Sequence, residues 1–135
     1  MISFNIVDIN IYNVLAALAL LKELNVNFYK ILSKFENFSS LEGRGKKYNI
    51  SRYNKKFRFI DESYNANPSS VKTAINKLRL IKKHKFKKYL ILGDMLELGS
   101  KSKKFHEELS KVINNSDIDK VFIKGNKTLF TYKHI

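Results

Sequence analysis

Apolar residues along the chain change period part-way. Val14, Leu15, Leu18, Leu21 and Leu24 recur at helical spacing, with Ala16, Ala17 and Ala19 favouring a helix between them. Asn13 stands at or just inside the start of that helix. Phe28, Ile31, Leu32 and Phe35 mark one face of a second amphipathic helix over about 28–37. The pair suits a helical hairpin, yet two short helices are too small to stand alone. A polar stretch with glycines follows, Ser39-Ser40-Leu41-Glu42-Gly43-Arg44-Gly45, and reads as a linker or domain boundary.

Beyond it the pattern turns to strands and helices in alternation. Phe57, Phe59 and Ile60 lead into Asp61 as a strand, and Tyr48 to Arg52 reads as an extra strand before it. Lys88 to Leu92 contains a continuous apolar run, as expected of a strand buried on both faces. Val121-Phe122-Ile123 forms a further strand. Between them lie two helical stripes, one of Val71, Ala74, Ile75, Leu78 and Ile81, the other of Phe105, Leu109, Val112 and Ile113. This order predicts an α/β fold, a Rossmann-like parallel sheet preceded by a helical hairpin. Thr128 to Ile135 reads as the start of another helix.

Composition narrows the class. The chain has 135 residues, 44% of them hydrophobic and 28% charged, enough to bury a core. It has no cysteine, which excludes a disulfide framework, a thiolate zinc site and a cysteine nucleophile, and fits the cytoplasm. No apolar run approaches the roughly 18 residues of a membrane span, and the N-terminus lacks the marks of a signal peptide. Lys and Arg number 26 against 12 Asp and Glu, a net charge of +14. Such charge fits an anionic partner. The excess is mostly lysine, however, and Asn and Ile are also abundant, a bias that an AT-rich genome writes by itself. The densest run, Lys82, Lys83, Lys85, Lys87 and Lys88, and the next, Lys101, Lys103 and Lys104, read as solvated faces or strand-edge protection.

Ligands of an open parallel sheet bind outside the carboxyl ends of its strands. Three loops fall there: Asp61 to Pro68, Gly93 to Gly99, and Gly125-Asn126-Lys127. The first packs two carboxylates, a hydroxyl, a phenol and two amides together. Within it Asn67 before Pro68 also reads as a helix cap, Asp61 and Glu62 as lysine partners, and Tyr64 as a packing residue. In the second loop Gly93 suggests close backbone approach, and Asp94 is either a loop cap or a site acid beside Glu97. His106 is more readily a packed or surface histidine than a catalytic one, and His84 and His134 carry no pattern. Absent are a Gly-x-x-x-x-Gly-Lys-Ser/Thr phosphate loop, a Gly-x-Gly-x-x-Gly fingerprint and any convincing metal spacing.

Taken together, these segments resemble one family. Ile60-Asp61-Glu62-Ser63-Tyr64-Asn65-Ala66-Asn67-Pro68, followed by Gly93-Asp94-Met95-Leu96-Glu97-Leu98-Gly99 and then His106, is similar to the C-terminal domain of the Mur ligases. Within that family it resembles the members that add D-alanyl-D-alanine. The upstream Asn13-Val14-Leu15-Ala16-Ala17-Leu18 and Gly43-Arg44-Gly45 fit as well, so the resemblance runs from about Asn10 to Lys127. It implies that 1–42 closes the central ATPase domain with two helices and that 43–135 is an incomplete C-terminal domain.

The resemblance implies an ATP-dependent amide ligase that joins D-alanyl-D-alanine to the UDP-N-acetylmuramoyl-tripeptide in cytoplasmic peptidoglycan precursor synthesis. It places Asn13 at the adenine, Arg44 at the ATP phosphates as the catalytic residue, and Glu62 near the ribose, where many members have a second aspartate. Tyr64, Asn65, Asn67, Asp94 and Glu97 fall in loops facing the dipeptide. ATP and Mg2+ serve the complete enzyme, with no metal ligand expected from this chain. Because the phosphate loop is missing, the chain alone is expected to be inactive, and a companion chain with the missing domains is a conceivable partner. Neither membrane nor nucleic acid is an expected partner. The alternatives are a small basic module binding nucleotide or RNA, and a gene remnant without function.

Overall fold

A computed structural model of the chain describes residues 11–27, 30–31, 41–83 and 86–135. The first helix expected from the leucine spacing forms as α1, Ile11–Glu23, with Asn13 inside its first turn and Val14 its buried residue. Most of the second expected helix, over 28–37, lies outside the described residues. The chain divides between Tyr64 and Asn65 into two compact units.

The first unit carries a hairpin of β1, Lys46–Arg52, and β2, Lys55–Asp61. The strands pair antiparallel from Lys46 opposite Asp61 to Arg52 opposite Lys55. The connection is the two residues Tyr53 and Asn54, both left-handed at φ 50° and 56°. Two successive positive φ values make the turn whose twist matches a hairpin. Tyr48 lies opposite Phe59 with ring centroids 6.0 Å apart, a cross-strand aromatic pair. This corrects the expected topology. The strand ending at Asp61 was expected in the parallel sheet, and instead its ladder partner is the strand just before it. A short turn brings that neighbour into register with little loss of chain entropy.

The second unit holds the α/β part. It begins with α2, Pro68–Leu80, whose start is built as its sequence implies. The Ser70 amide donates to Asn67 Oδ1 at 2.9 Å, and the Asn67 amide donates to Ser70 Oγ at 3.1 Å, a reciprocal capping box. Next come β3, Tyr89–Gly93, then α3, Ser102–Asn114, then β4, Lys120–Lys124, and a short α4, Thr128–Tyr132. Strands β3 and β4 pair in parallel, with Leu90 beside Val121 and Leu92 beside Ile123. One face of this pair meets α2 and α3. There Ile75, Leu92, Met95, Leu109 and Ile113 form the core, joined by Val71, Leu90, Phe105, Val112, Ile118 and Val121. Full burial of each such side chain is worth roughly 1.5–3 kcal/mol.

Two expectations change here. β3 was expected to be buried on both faces, yet burial alternates along it: Leu90 and Leu92 point inward, while Tyr89 and Ile91 are exposed. The apolar run is longer than the covered face requires. Lys88, read as part of a solvated lysine run, is only 2% exposed. Its ammonium reaches Asp117 Oδ1 at 2.7 Å and the Arg79 carbonyl at 3.0 Å. Its own amide donates to Asp119 Oδ2, which closes the entry to β3 against the loop before β4. The neighbouring Lys83 pairs with Asp119 Oδ1 at 2.5 Å. Asp117 and Asp119 are both held below the ordinary carboxylate range, chiefly by these lysine bonds.

Candidate functional site

The expected site residues fall into both units. In the first unit the glycine-flanked Arg44 segment is tied to the end of β2. The Gly43 amide donates to Asp61 Oδ2 and the Ser63 amide to Asp61 Oδ1, each at 3.1 Å. The Ser63 hydroxyl and amide, with the Gly43 amide, hold the Asp61 carboxyl below its ordinary range. Among the described residues, Asp61 thus bonds Gly43 and Ser63 and not the lysine that was its other reading. The Gly45 amide donates to the Asp61 carbonyl at 2.7 Å, and the Tyr64 amide to the Gly43 carbonyl at 3.0 Å. Gly43 is buried at φ +70°, and a Cβ there would lie 2.6 Å from the Tyr64 amide nitrogen. Only glycine fits this approach.

The latch decides where Arg44 goes. Its guanidinium carbon lies 4.4 Å from the centroid of the Tyr64 ring. Glu42, the carboxylate two residues away, is engaged by Lys46 Nζ at 3.0 Å. A guanidinium stacked on a ring keeps its N–H edges available for a planar anion. The structure thus joins Arg44 and Tyr64, which the family resemblance places at different ligands. Asn13 is exposed on α1, and Glu62 is exposed directly after β2.

In the second unit, Asn65 and Asn67 precede α2, and Asn67 is engaged as its cap. Asp94, after β3, spans to the start of α4. Its Oδ1 accepts from the Thr128 amide at 2.7 Å and its Oδ2 from the Lys127 amide at 3.2 Å. Partial burial works against ionisation, but the Thr128 and Lys127 amides outweigh it and lower the carboxyl. Two of the three expected loops, 93–99 and 125–127, are joined by this one side chain. A Cβ on Gly125, at φ +120°, would collide with the Asp94 carboxylate. Close approach was expected at Gly93, where an added Cβ meets nothing within 4 Å. It occurs at Gly125 instead, because Asp94 crosses between the strand ends there. Glu97 is exposed in a left-handed conformation, φ 59°, which re-aims the loop toward Gly99.

His106 is packed, one of the readings, with surface and catalytic, that the sequence left open. It is fully buried, and its Nε2 accepts from the Met95 amide at 3.1 Å while Nδ1 lies 2.7 Å from the Ser102 carbonyl. His84 lies outside the described residues, and His134 offers its carbonyl to Asn114. Sequence reasoning assigned no role to Met95, Thr128 or Thr131, which act through backbone amides, hydroxyl-to-carbonyl bonds and packing. Such roles leave little trace in residue type; the glycine after each strand or turn was the only signal. Among the described residues, no group of three or more His, Asp and Glu could hold a metal ion. None of the helices among the described residues is long and apolar enough to cross a membrane.

A parallel strand–helix–strand unit, with the loop after β3 tied to the loop after β4, defines an α/β domain of Rossmann-like build. The family described as Mur ligase, glutamate ligase domain, matches residues 48–131, and the chain belongs to that family. Its similarities are to the MurF type. It is 36% identical over 95 residues to the UDP-N-acetylmuramoyl-tripeptide–D-alanyl-D-alanine ligase of Bacillus subtilis, covering 70% of this chain and 21% of that protein. It is 34% identical over 116 residues to the ligase of the same name from Buchnera aphidicola subsp. Baizongia pistaciae, covering 86% of this chain and 24% of that protein. The crystal structure of MurF ligase from Thermotoga maritima in complex with ADP superposes with a TM-score of 0.68 at 28% identity. That match covers 88% of this chain and 26% of the Thermotoga chain. The chain thus spans about a fifth to a quarter of the relatives' length.

Proposed function

We propose that this chain supplies part of an ATP-dependent amide ligase that adds D-alanyl-D-alanine to the UDP-N-acetylmuramoyl-tripeptide in the cytoplasm. Residues 1–42 would close the central domain and 43–135 would belong to the C-terminal domain. The tripeptide carboxylate attacks the γ-phosphorus of ATP and ADP leaves; the dipeptide amine then attacks the acyl phosphate, expels inorganic phosphate and loses a proton to form the amide. Such transfer depends on positioning and charge neutralisation more than on covalent chemistry by the protein. Arg44 binds the ATP phosphates and offsets the charge that develops on them. Asn13 contacts the adenine and Glu62 the ribose. Tyr64, Asn65, Asn67, Asp94 and Glu97 face the dipeptide. Asp94 and Asn67 do so while also holding helix starts, so their substrate roles are carried by loop placement.

The observation that carries this reading is the latched hinge. The Gly43 and Gly45 bonds to Asp61 fix the backbone on both sides of Arg44, and the guanidinium lies over the Tyr64 ring. This is preorganisation of a cation for a phosphate group. The test is phosphate release from ATP with both substrates. The chain alone, lacking a phosphate loop, should release none. In the ligase assembled with the polypeptide that carries that loop, Arg44→Ala should lower kcat roughly 100-fold or more while leaving the dipeptide KM within about threefold. Equal losses in kcat and dipeptide affinity would remove the phosphate role. Release by the pure chain would overturn the reading.

A further inference from the structure

Four fully buried residues of the second unit, Met95, His106, Thr128 and Thr131, lie on one circuit of bonds. The Met95 amide donates to His106 Nε2. Asp94, the residue before Met95, accepts from the Thr128 and Lys127 amides. One turn on, Thr131 Oγ1 donates to the His106 carbonyl at 2.7 Å and returns the circuit to α3. A backbone amide can only donate and a carbonyl can only accept. The partners of the imidazole therefore assign the neutral tautomer with its proton on Nδ1. His106 thus ties α3 to the loop after β3 through a hydrogen bond, beside the apolar packing of Met95 on Leu109 and Ile113.

We propose that His106 is a positioning residue. Its Nε2 holds the Met95 amide, and so sets the height and direction of the 94–98 loop that carries Asp94 and Glu97. This rests on the reading above, in which those two carboxylates face the dipeptide. The physical reason is directional. Met95 sits in the apolar core, and its amide has no water to turn to, so removing the acceptor leaves a buried donor unpaired. A packing residue of the same size cannot replace that bond. A residue with an acceptor at the same reach can.

The test uses the 135-residue chain and two variants. His106→Gln places a carbonyl oxygen at the reach of Nε2. His106→Asn reaches only as far as Nδ1, so it keeps a donor for Ser102 and loses the acceptor for Met95. Hydrogen exchange at the Met95 amide should rise roughly tenfold or more in His106→Asn and return to within about threefold of the parent in His106→Gln, with the amides of α2 unchanged in both. Nitrogen-15 spectra of the parent chain should show His106 protonated on Nδ1. An unchanged Met95 amide in His106→Asn, equal effects of the two variants, or a proton on Nε2 would each overturn the proposal. If His106→Asn does not fold, the tautomer and the His106→Gln variant still decide it. Titration of the parent chain with D-alanyl-D-alanine separates the two readings. Loop amides that do not move would remove the dipeptide role of Asp94 and Glu97, while the exchange pattern would still settle what His106 holds.

Discussion

Asp94 shows how one carboxylate does structural work that its residue type only half announces. Its two oxygens take the Thr128 and Lys127 amides, donors at the start of a short helix that have no partner within it. These bonds lower its pKa below the ordinary 3.8, so the folded state binds fewer protons than the unfolded chain in that range. The stability it contributes is fully present above its unfolded pKa and is lost as pH falls through the lowered one. Asp94→Asn should cost about 1 kcal/mol near neutrality, because a charge-assisted bond becomes a neutral one. Urea unfolding at a series of pH values should show that gap closing below pH 3.8. A gap that stayed constant down to strong acid would mean the charge contributes nothing. Asn67 makes the same point from the other side. Its cap was legible from Asn-Pro alone, since only the next few residues are involved.

At the level of elements, the helices and the parallel pairing of β3 with β4 were legible, and the partner of β2 was not. Leucine and valine spacing located α1, α2 and α3 within a turn, because a helix satisfies its backbone bonds locally. A strand needs a partner, and its own residues do not say which. β2 was legible as a strand and misplaced in the sheet, because Tyr53-Asn54 lacks the glycine that usually announces a two-residue hairpin. That turn holds a tyrosine at φ 50°, a costly conformation for a bulky side chain. Replacing Tyr53 with Asn and Asn54 with Gly should therefore stabilise the hairpin by about 1 kcal/mol, more than the roughly 0.5 kcal/mol from the exposed stack of Arg52 on the Tyr53 ring. A raised thermal midpoint is the expected result. A lowered one would show that the stack outweighs the backbone cost.

Over the whole molecule, charge and apolar exposure oppose each other. Leu15, Leu20 and Leu24 of the first unit, and Ile91 and Leu96 of the second, are each more than half exposed. Exposed apolar surface favours association, and a net charge of +14 resists it. Salt shortens the range of that repulsion while strengthening apolar contact. Light scattering should therefore report a rising mean mass as salt goes from about 0.02 to 0.5 M, with greater binding of an apolar dye at low salt. A mass independent of salt would mean that the exposed side chains do not associate.

What the sequence by itself determined was everything local or compositional. The helices, the caps, the acidic loops in a basic chain and the family motifs around Asp61 and Gly93 belong to that set. Each depends on neighbours a few residues away or on residue type alone. Tertiary structure alone decided the rest. It buried Lys88 against Asp117, turned Arg44 onto the Tyr64 ring, paired β2 with β1, and set His106 between Ser102 and Met95. Except for the hairpin, these contacts join residues through bonds that any lysine, arginine or histidine could make elsewhere. Which partner wins is settled by where the backbone brings donors and acceptors together away from water, and chain order does not contain that distance.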